Sequence, residues 1–177
     1  ICLKCGWRYY CSMNKNILII SSTSGNNYSL ANSFKKKLDY LGNDSSILNL
    51  EDYDLPLFKP NEIALEDVID SLIKKFKSAD GYIFCSPEYN GGITPILTNA
   101  ITWISTRSKN WRDTFNNKSC LIATFSGGPG IRFLTSFRLQ CEYIGLVVMP
   151  RTISVTSYNA PKDESVIKSL KQLMMHI

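Results

Sequence analysis

Three polar, turn-rich segments carry the residue types that can do ligand chemistry. The first runs Ser21-Ser22-Thr23-Ser24-Gly25-Asn26-Asn27-Tyr28-Ser29 and is dense in hydroxyl and amide donors. It is neither GxGxxG nor a Walker loop, since no Gly-Lys-Ser/Thr follows. A terminal phosphate monoester needs many donors on three oxygens. Hydroxyls, main-chain N–H groups and a helix N-terminus supply them without formal charge. Ser22, Ser24, Asn27, Tyr28 and Ser29 are the candidates. The same composition suits a polar turn ending in a helix cap, and the loop alone does not choose between the two. The second segment, Ser86-Pro87-Glu88-Tyr89-Asn90-Gly91-Gly92, combines a stiff proline, a flat tyrosine ring and glycines that admit close backbone approach. It is equipped to line a planar heteroaromatic ring, or to be a tight turn with an exposed tyrosine. The third is Ser126-Gly127-Gly128, by itself a glycine-rich turn.

Other chemistries find little material. The one histidine, His176, stands next to last, which argues against a histidine-centred catalytic or metal site. No nucleophile triad, paired-carboxylate motif or metal-ligand cluster stands out. Glu88 has the type of an acid/base group, but a loop carboxylate that fixes backbone or faces solvent is the better expectation. Cys2 and Cys5 form a CxxC pair without a second half. Cys85, Cys120 and Cys141 are far apart, and a buried thiol is expected of the two in strand-like runs. No disulfide framework is suggested, so a cytoplasmic location is expected.

The elements that must position these loops are legible as alternation. Apolar runs at Asn16–Ile20, Ile47–Leu50, Tyr82–Cys85, Leu121–Phe125 and Val147–Val155 predict five strands, the last interrupted by Pro150. Between them lie helical stripes. The first is Leu30, Phe34, Leu38 and Leu41, ended by Gly42. The second runs from Leu65 to Phe76, and the third from Ile93 to Ile104, with Pro95 in its first turn. Leu134, Phe137, Cys141 and Ile144 make the fourth, and Val166–Met174 the last. Repeated strand–helix–strand units imply parallel strands with right-handed crossovers. The expectation is therefore an α/β fold, a three-layer, doubly wound, five-stranded parallel sheet. A closed eight-stranded barrel needs about 250 residues. Ligands of open sheets bind beyond the strands' carboxyl ends, which singles out the loops after strands one, three and four.

The chain has 177 residues, 44% hydrophobic and 20% charged, with a net charge of +5. That is one ordinary domain. Its cations are dispersed, so nucleic acid is not an expected partner. No apolar run approaches the ~20 residues of a membrane span, so no membrane association is expected. Residues 1–12 hold three of the six cysteines and no acid. They are expected to be an extension, disordered or a start-site artefact, dispensable to a domain over 13–177.

The stretch Ser86–Trp103, SPEYNGGITPILTNAITW, closely resembles the signature loop and helix of the NADPH-dependent FMN reductase family. These are flavodoxin-like flavoproteins that include quinone, azo-dye and chromate reductases. The resemblance covers about Asn16 to Pro161. It implies an FMN cofactor, NADPH or NADH as co-substrate, and ping-pong hydride transfer to a quinone, flavin, azo or similar acceptor. It assigns Pro87, Glu88, Tyr89, Asn90 and Gly91 to the isoalloxazine, and Ser126, Gly127 and Gly128 to its pyrimidine edge. In the first loop Asn27-Tyr28-Ser29 matches the family's polar triplet, while Ser24 stands where arginine is usual. Lys15 is one candidate to replace that cation. The resemblance also implies a homodimer or homotetramer, for which Trp103 and Trp111, taken as exposed, would suit a symmetric contact; intramolecular packing would explain them equally. A non-enzymatic flavodoxin-like FMN electron-transfer protein is the alternative. Such shuttles are usually strongly acidic, whereas this chain is basic.

Overall fold

The computed structural model describes residues 15–60 and 66–177. The expectations for residues 1–12, including the Cys2–Cys5 pair, lie outside them, as does Leu65.

Six strands form one parallel sheet: β1 (Asn16–Ser21), β2 (Asp44–Asn49), β3 (Gly81–Cys85), β4 (Ser119–Phe125), β5 (Val147–Val148) and β6 (Ile153–Val155). Their order is β2-β1-β3-β4-β5, with β6 also on β4. The expected fifth strand is thus one edge position broken in two. Val147 and Val148 pair with Ser119 and Cys120, and Ile153 to Val155 pair with Ala123 to Phe125. Pro150, between the halves, has no N–H to give a ladder and belongs at such an edge. This is the flavodoxin-like order.

Six helices are described: α1 (Asn26–Tyr40), α2 (Glu66–Ser78), α3 (Pro95–Arg107), α4 (Trp111–Phe115), α5 (Ile131–Tyr143) and α6 (Asp163–Met175). The short α4 was not anticipated; its Thr114 and Phe115 are buried. Helices cover both faces of the sheet, which is why β1 and β3 read as unbroken apolar runs. Along β1 the side chains alternate. Leu18 and Ile20 join the core that holds Phe76, Tyr82, Phe84, Trp103 and Phe137. Ile17 and Ile19 join the core of Phe34, Leu38, Leu121 and Leu170. Cys85, Cys120 and Cys141 are free thiols and all three are buried, the two in strands as expected.

Of the two readings of the tryptophans, the structure takes intramolecular packing. Trp103 is fully buried, and its indole Nε1 donates to the Pro56 carbonyl at 2.8 Å. Trp111 is half-buried against the same core. The spacing that made α3 the clearest helical pattern also turns Trp103 inward, beside Ala100 and Ile104. Neither tryptophan is a free face for a partner.

Candidate functional site

The loops after β1, β3 and β4 lie at one edge because their strands are parallel neighbours in register. Ser21 pairs with Cys85, and Cys85 with Ala123. The ladder runs on past the strand ends: Ser22 N–H donates to Cys85 O at 2.9 Å and Ser86 N–H to Ala123 O at 3.1 Å.

Loop two, after β3, is a built hairpin. Asn90 and Gly91 have φ of 51° and 70°, and Tyr89 and Gly92 exchange main-chain hydrogen bonds of 3.3 and 2.9 Å. Two positive φ values in a two-residue turn define type I′, which Asn-Gly favours. Loop two is pinned to loop three as well. Glu88 N–H donates to Ser126 Oγ at 2.8 Å, and Ser126 Oγ shares a 2.7 Å hydrogen bond with Thr124 Oγ1. The Glu88 carboxylate accepts the Phe133 N–H at 3.0 Å, in the first turn of α5. An anion there satisfies an orphan donor and the helix dipole. Glu88 therefore fixes backbone, as expected. Pro87 is buried, whereas Tyr89 is half exposed.

Loop three presents bare backbone at two glycines. A Cβ built on Gly127 or Gly128 would meet nothing within 4 Å, and neither has a φ that calls for glycine. The protein's own packing and backbone thus leave these positions free to carry side chains. Gly130 differs: its φ is 64° and a Cβ would lie 2.8 Å from Thr124 Cγ2. A cleft of about 460 Å³, lined by Glu88, Gly128, Pro129, Gly130, Ile131 and Arg132, opens beside this loop. Its size is that of an ordinary small-molecule site.

Loop one is different from its reading as a nest of free donors. The Ser22 hydroxyl is buried and donates to Ser86 Oγ at 2.8 Å; Ser86 in turn bonds Thr94 Oγ1 at 3.0 Å. Asn27 is buried too. Its Nδ2 donates to Phe125 O and its Oδ1 accepts the Phe125 N–H, both at 2.9 Å. β3 ends opposite Ala123, so the Phe125 main chain has no strand on that side, and Asn27 supplies its partner. The two candidate phosphate ligands are thus bonded to the protein here, Ser22 through its one hydroxyl hydrogen and Asn27 through its carbonyl and one of its two amide hydrogens. What remains exposed is the half-exposed Tyr28, Ser29, the N–H groups of the first α1 turn, and Ser24, itself bonded to residues at the end of β2. Lys15 cannot replace the family's arginine. It precedes β1, whose six residues separate it from loop one by roughly 20 Å at ~3.3 Å each.

The tip of β2 was overlooked. Because β2 flanks β1, with Asn49 in register with Ser21, its carboxyl end reaches loop one. Ser24 N–H donates to Glu51 Oε2 at 2.7 Å. Asn49 Nδ2 donates to Ser24 Oγ at 3.1 Å and to Asp52 Oδ1 at 2.9 Å. The Ser24 hydroxyl, and then its N–H, hold the Glu51 carboxyl below the usual carboxylate range. The rule that named the other loops applied equally to this one.

The sequence profile of the NADPH-dependent FMN reductase family matches residues 15–160. The chain belongs to this family. Among family relatives, an NAD(P)H:quinone oxidoreductase of Solanum tuberosum is 40% identical over 63 residues, 36% of this chain and 30% of that protein. An NADH-dependent flavin reductase subunit 2 of Lactobacillus johnsonii is 32% identical over 75 residues, 42% and 40% of the two. The matched segments thus span well under half of these relatives. The flavoenzyme NAD(P)H:(acceptor) oxidoreductase FerB of Paracoccus denitrificans superposes with a TM-score of 0.72 at 15% identity, covering 92% of this chain and 94% of that one. An archaeal flavodoxin gives 0.60 at 16%, covering 90% and 92%. At such identities the structures establish the fold. The loops that carry the family resemblance are those whose geometry is described above.

Proposed function

We propose that this chain is an NAD(P)H-dependent FMN oxidoreductase that passes two electrons to a quinone, flavin, azo compound or similar acceptor. The observation that carries the reading is the bare backbone of Gly127 and Gly128 in a loop tied to loop two by the bond from Glu88 N–H to Ser126, with the cleft lined by Glu88 and Gly128 beside it. Flavin, when bound, supplies the redox chemistry itself. The chain's part is binding and orientation. Loop two presents the Tyr89 face and the glycine backbone to a planar ring. The bond from Glu88 to α5 and the bond to Ser126 hold that surface rigid. Loop three offers bare backbone to the ring edge. Tyr28, Ser29 and the first N–H groups of α1 face the phosphate. Reduced nicotinamide and then the acceptor use the same cleft in turn, which gives ping-pong kinetics. The electron-shuttle reading has no comparable support, and the +5 charge opposes it.

Homodimers or homotetramers belong to this reading. Their support moves from the tryptophans to α5, where Ile131, Leu139 and Tyr143 are exposed on one face, with Val147 just beyond. Ile131 also lines the cleft. A monomer by light scattering would remove this part.

The test is the absorbance of the purified chain in the flavin bands, before and after anaerobic NADPH or NADH, with mass analysis of the released cofactor. FMN that bleaches is the expected result. FAD, or no flavin after reconstitution, would overturn the cofactor. FMN that neither nucleotide bleaches would return the shuttle.

A further inference from the structure

Loop one meets an acidic corner where a phosphate site calls for cations. Ser24 N–H, one of the outward main-chain donors, is bonded to Glu51 Oε2 at 2.7 Å. Asp52 stands one residue on, bonded to Asn49. Asn49 itself is 8% exposed, and its buried Oδ1 has no hydrogen-bond partner among the described residues. That leaves two carboxylates and an unpartnered carbonyl oxygen. All three are acceptors, and the Glu51 carboxylate reaches a loop whose own hydroxyls at Ser21 and Ser22 are spent on Thr23 O and Ser86.

We propose that Glu51 is a specificity-determining residue of the phosphate subsite, lowering the preference for FMN over flavins without a phosphate. The proposal rests on the flavin reading above. A phosphate must compete with this carboxylate for the Ser24 N–H, and its charge is repelled by the carboxylate left behind. Riboflavin has the same ring and ribityl chain but no phosphate, so it meets neither penalty. A carboxylate on an N–H near a helix start is also the bond that a phosphate oxygen would make. Glu51 thus stands in for the ligand it disfavours.

The experiment is fluorescence titration of the full apo chain with FMN and with riboflavin, for wild type and Glu51→Gln. The side chain is exposed, so the variant keeps the fold. At about 10 mM salt, where screening is weak, Glu51→Gln is expected to raise FMN affinity about tenfold and to leave riboflavin affinity within about twofold. At about 1 M salt the FMN gain shrinks, because exposed charges are then screened. An FMN-to-riboflavin ratio that is unchanged or lower in Glu51→Gln would overturn the proposal. So would equal losses for both flavins, which mark a residue that only shapes the loop. If wild type binds neither flavin, the cofactor reading fails first and this inference falls with it.

Discussion

Loops one and two sit side by side, yet the protein treats their polar groups in opposite ways. Loop two is fastened by its backbone and by Glu88. The hairpin, the bond to Ser126 and the bond to α5 leave the tyrosine ring and the glycine surface outward. Loop one is fastened largely by the side chains that looked functional. Ser22 is tied to Ser86, Asn27 to Phe125 and Ser24 to Asn49, while the Ser24 main-chain N–H is held by Glu51. A segment rich in donors is therefore not a segment with donors to spare. Buried polar groups must be satisfied, and the first claim on a loop's hydroxyls comes from the fold.

That contrast breaks most sharply at Asn27. Its amide makes two hydrogen bonds to one main-chain residue, with only 2% of the side chain exposed. Asn27→Ala leaves the Phe125 N–H and carbonyl without them, and should destabilise the protein by about 2–4 kcal/mol. Urea unfolding measures this. A loss below about 1 kcal/mol would mean that water replaces the amide and that Asn27 is free for a ligand after all.

Loop two is probed by Gly91→Val. Its φ of 70° disfavours a branched side chain, and a Cβ would come 3.1 Å from Arg132 Cδ. Strain of about 1–3 kcal/mol at this turn should distort the ring surface, so flavin affinity should fall at least about tenfold while the far-UV spectrum stays native. Unchanged flavin affinity would place the ring elsewhere.

Much of this was legible in the chain. The buried strands announced themselves as NILII and YIFC, because crossover helices cover both faces of a parallel sheet. Loop two was legible because its chemistry is conformational: Asn-Gly after a strand asks for positive φ whatever surrounds it. Pro150 marked the break between β5 and β6. What stayed hidden depends on partners distant in sequence. Asn27 meets Phe125, 98 residues on, and Ser22 meets Ser86, 64 on; no local pattern reports such a meeting. The choice between the two readings of Trp103 was hidden for the same reason, since its indole is satisfied by a carbonyl 47 residues away.

A smaller effect separates fastening from chemistry in loop two. Glu88→Ala removes the carboxylate from the first turn of α5 and should lower stability by about 1 kcal/mol. Reduction by NADPH in an FMN-loaded variant should be slowed only in proportion to any lost flavin. A rate collapse with full flavin occupancy would make Glu88 a proton-transfer group instead.

The finest distinction lies within loop one, between two serines that sequence cannot tell apart. The Ser22 hydroxyl is buried in a chain with Ser86 and Thr94. The Ser29 side chain is exposed on the first α1 turn. Each variant removes one neutral hydroxyl, worth about 1 kcal/mol, but the loss should appear in different measurements. Ser22→Ala should lower stability by about that amount, since Ser86 loses one bond and keeps Thr94, and FMN affinity should hold. Ser29→Ala should leave stability unchanged, because its hydroxyl faces solvent. It should weaken FMN by about fivefold, the same free energy read as an equilibrium constant, with riboflavin unmoved. If Ser22→Ala instead weakens FMN selectively, its hydroxyl turns from Ser86 to the phosphate on binding, and loop one is remade by its ligand. If Ser29→Ala weakens both flavins equally, the first turn of α1 does not face a phosphate.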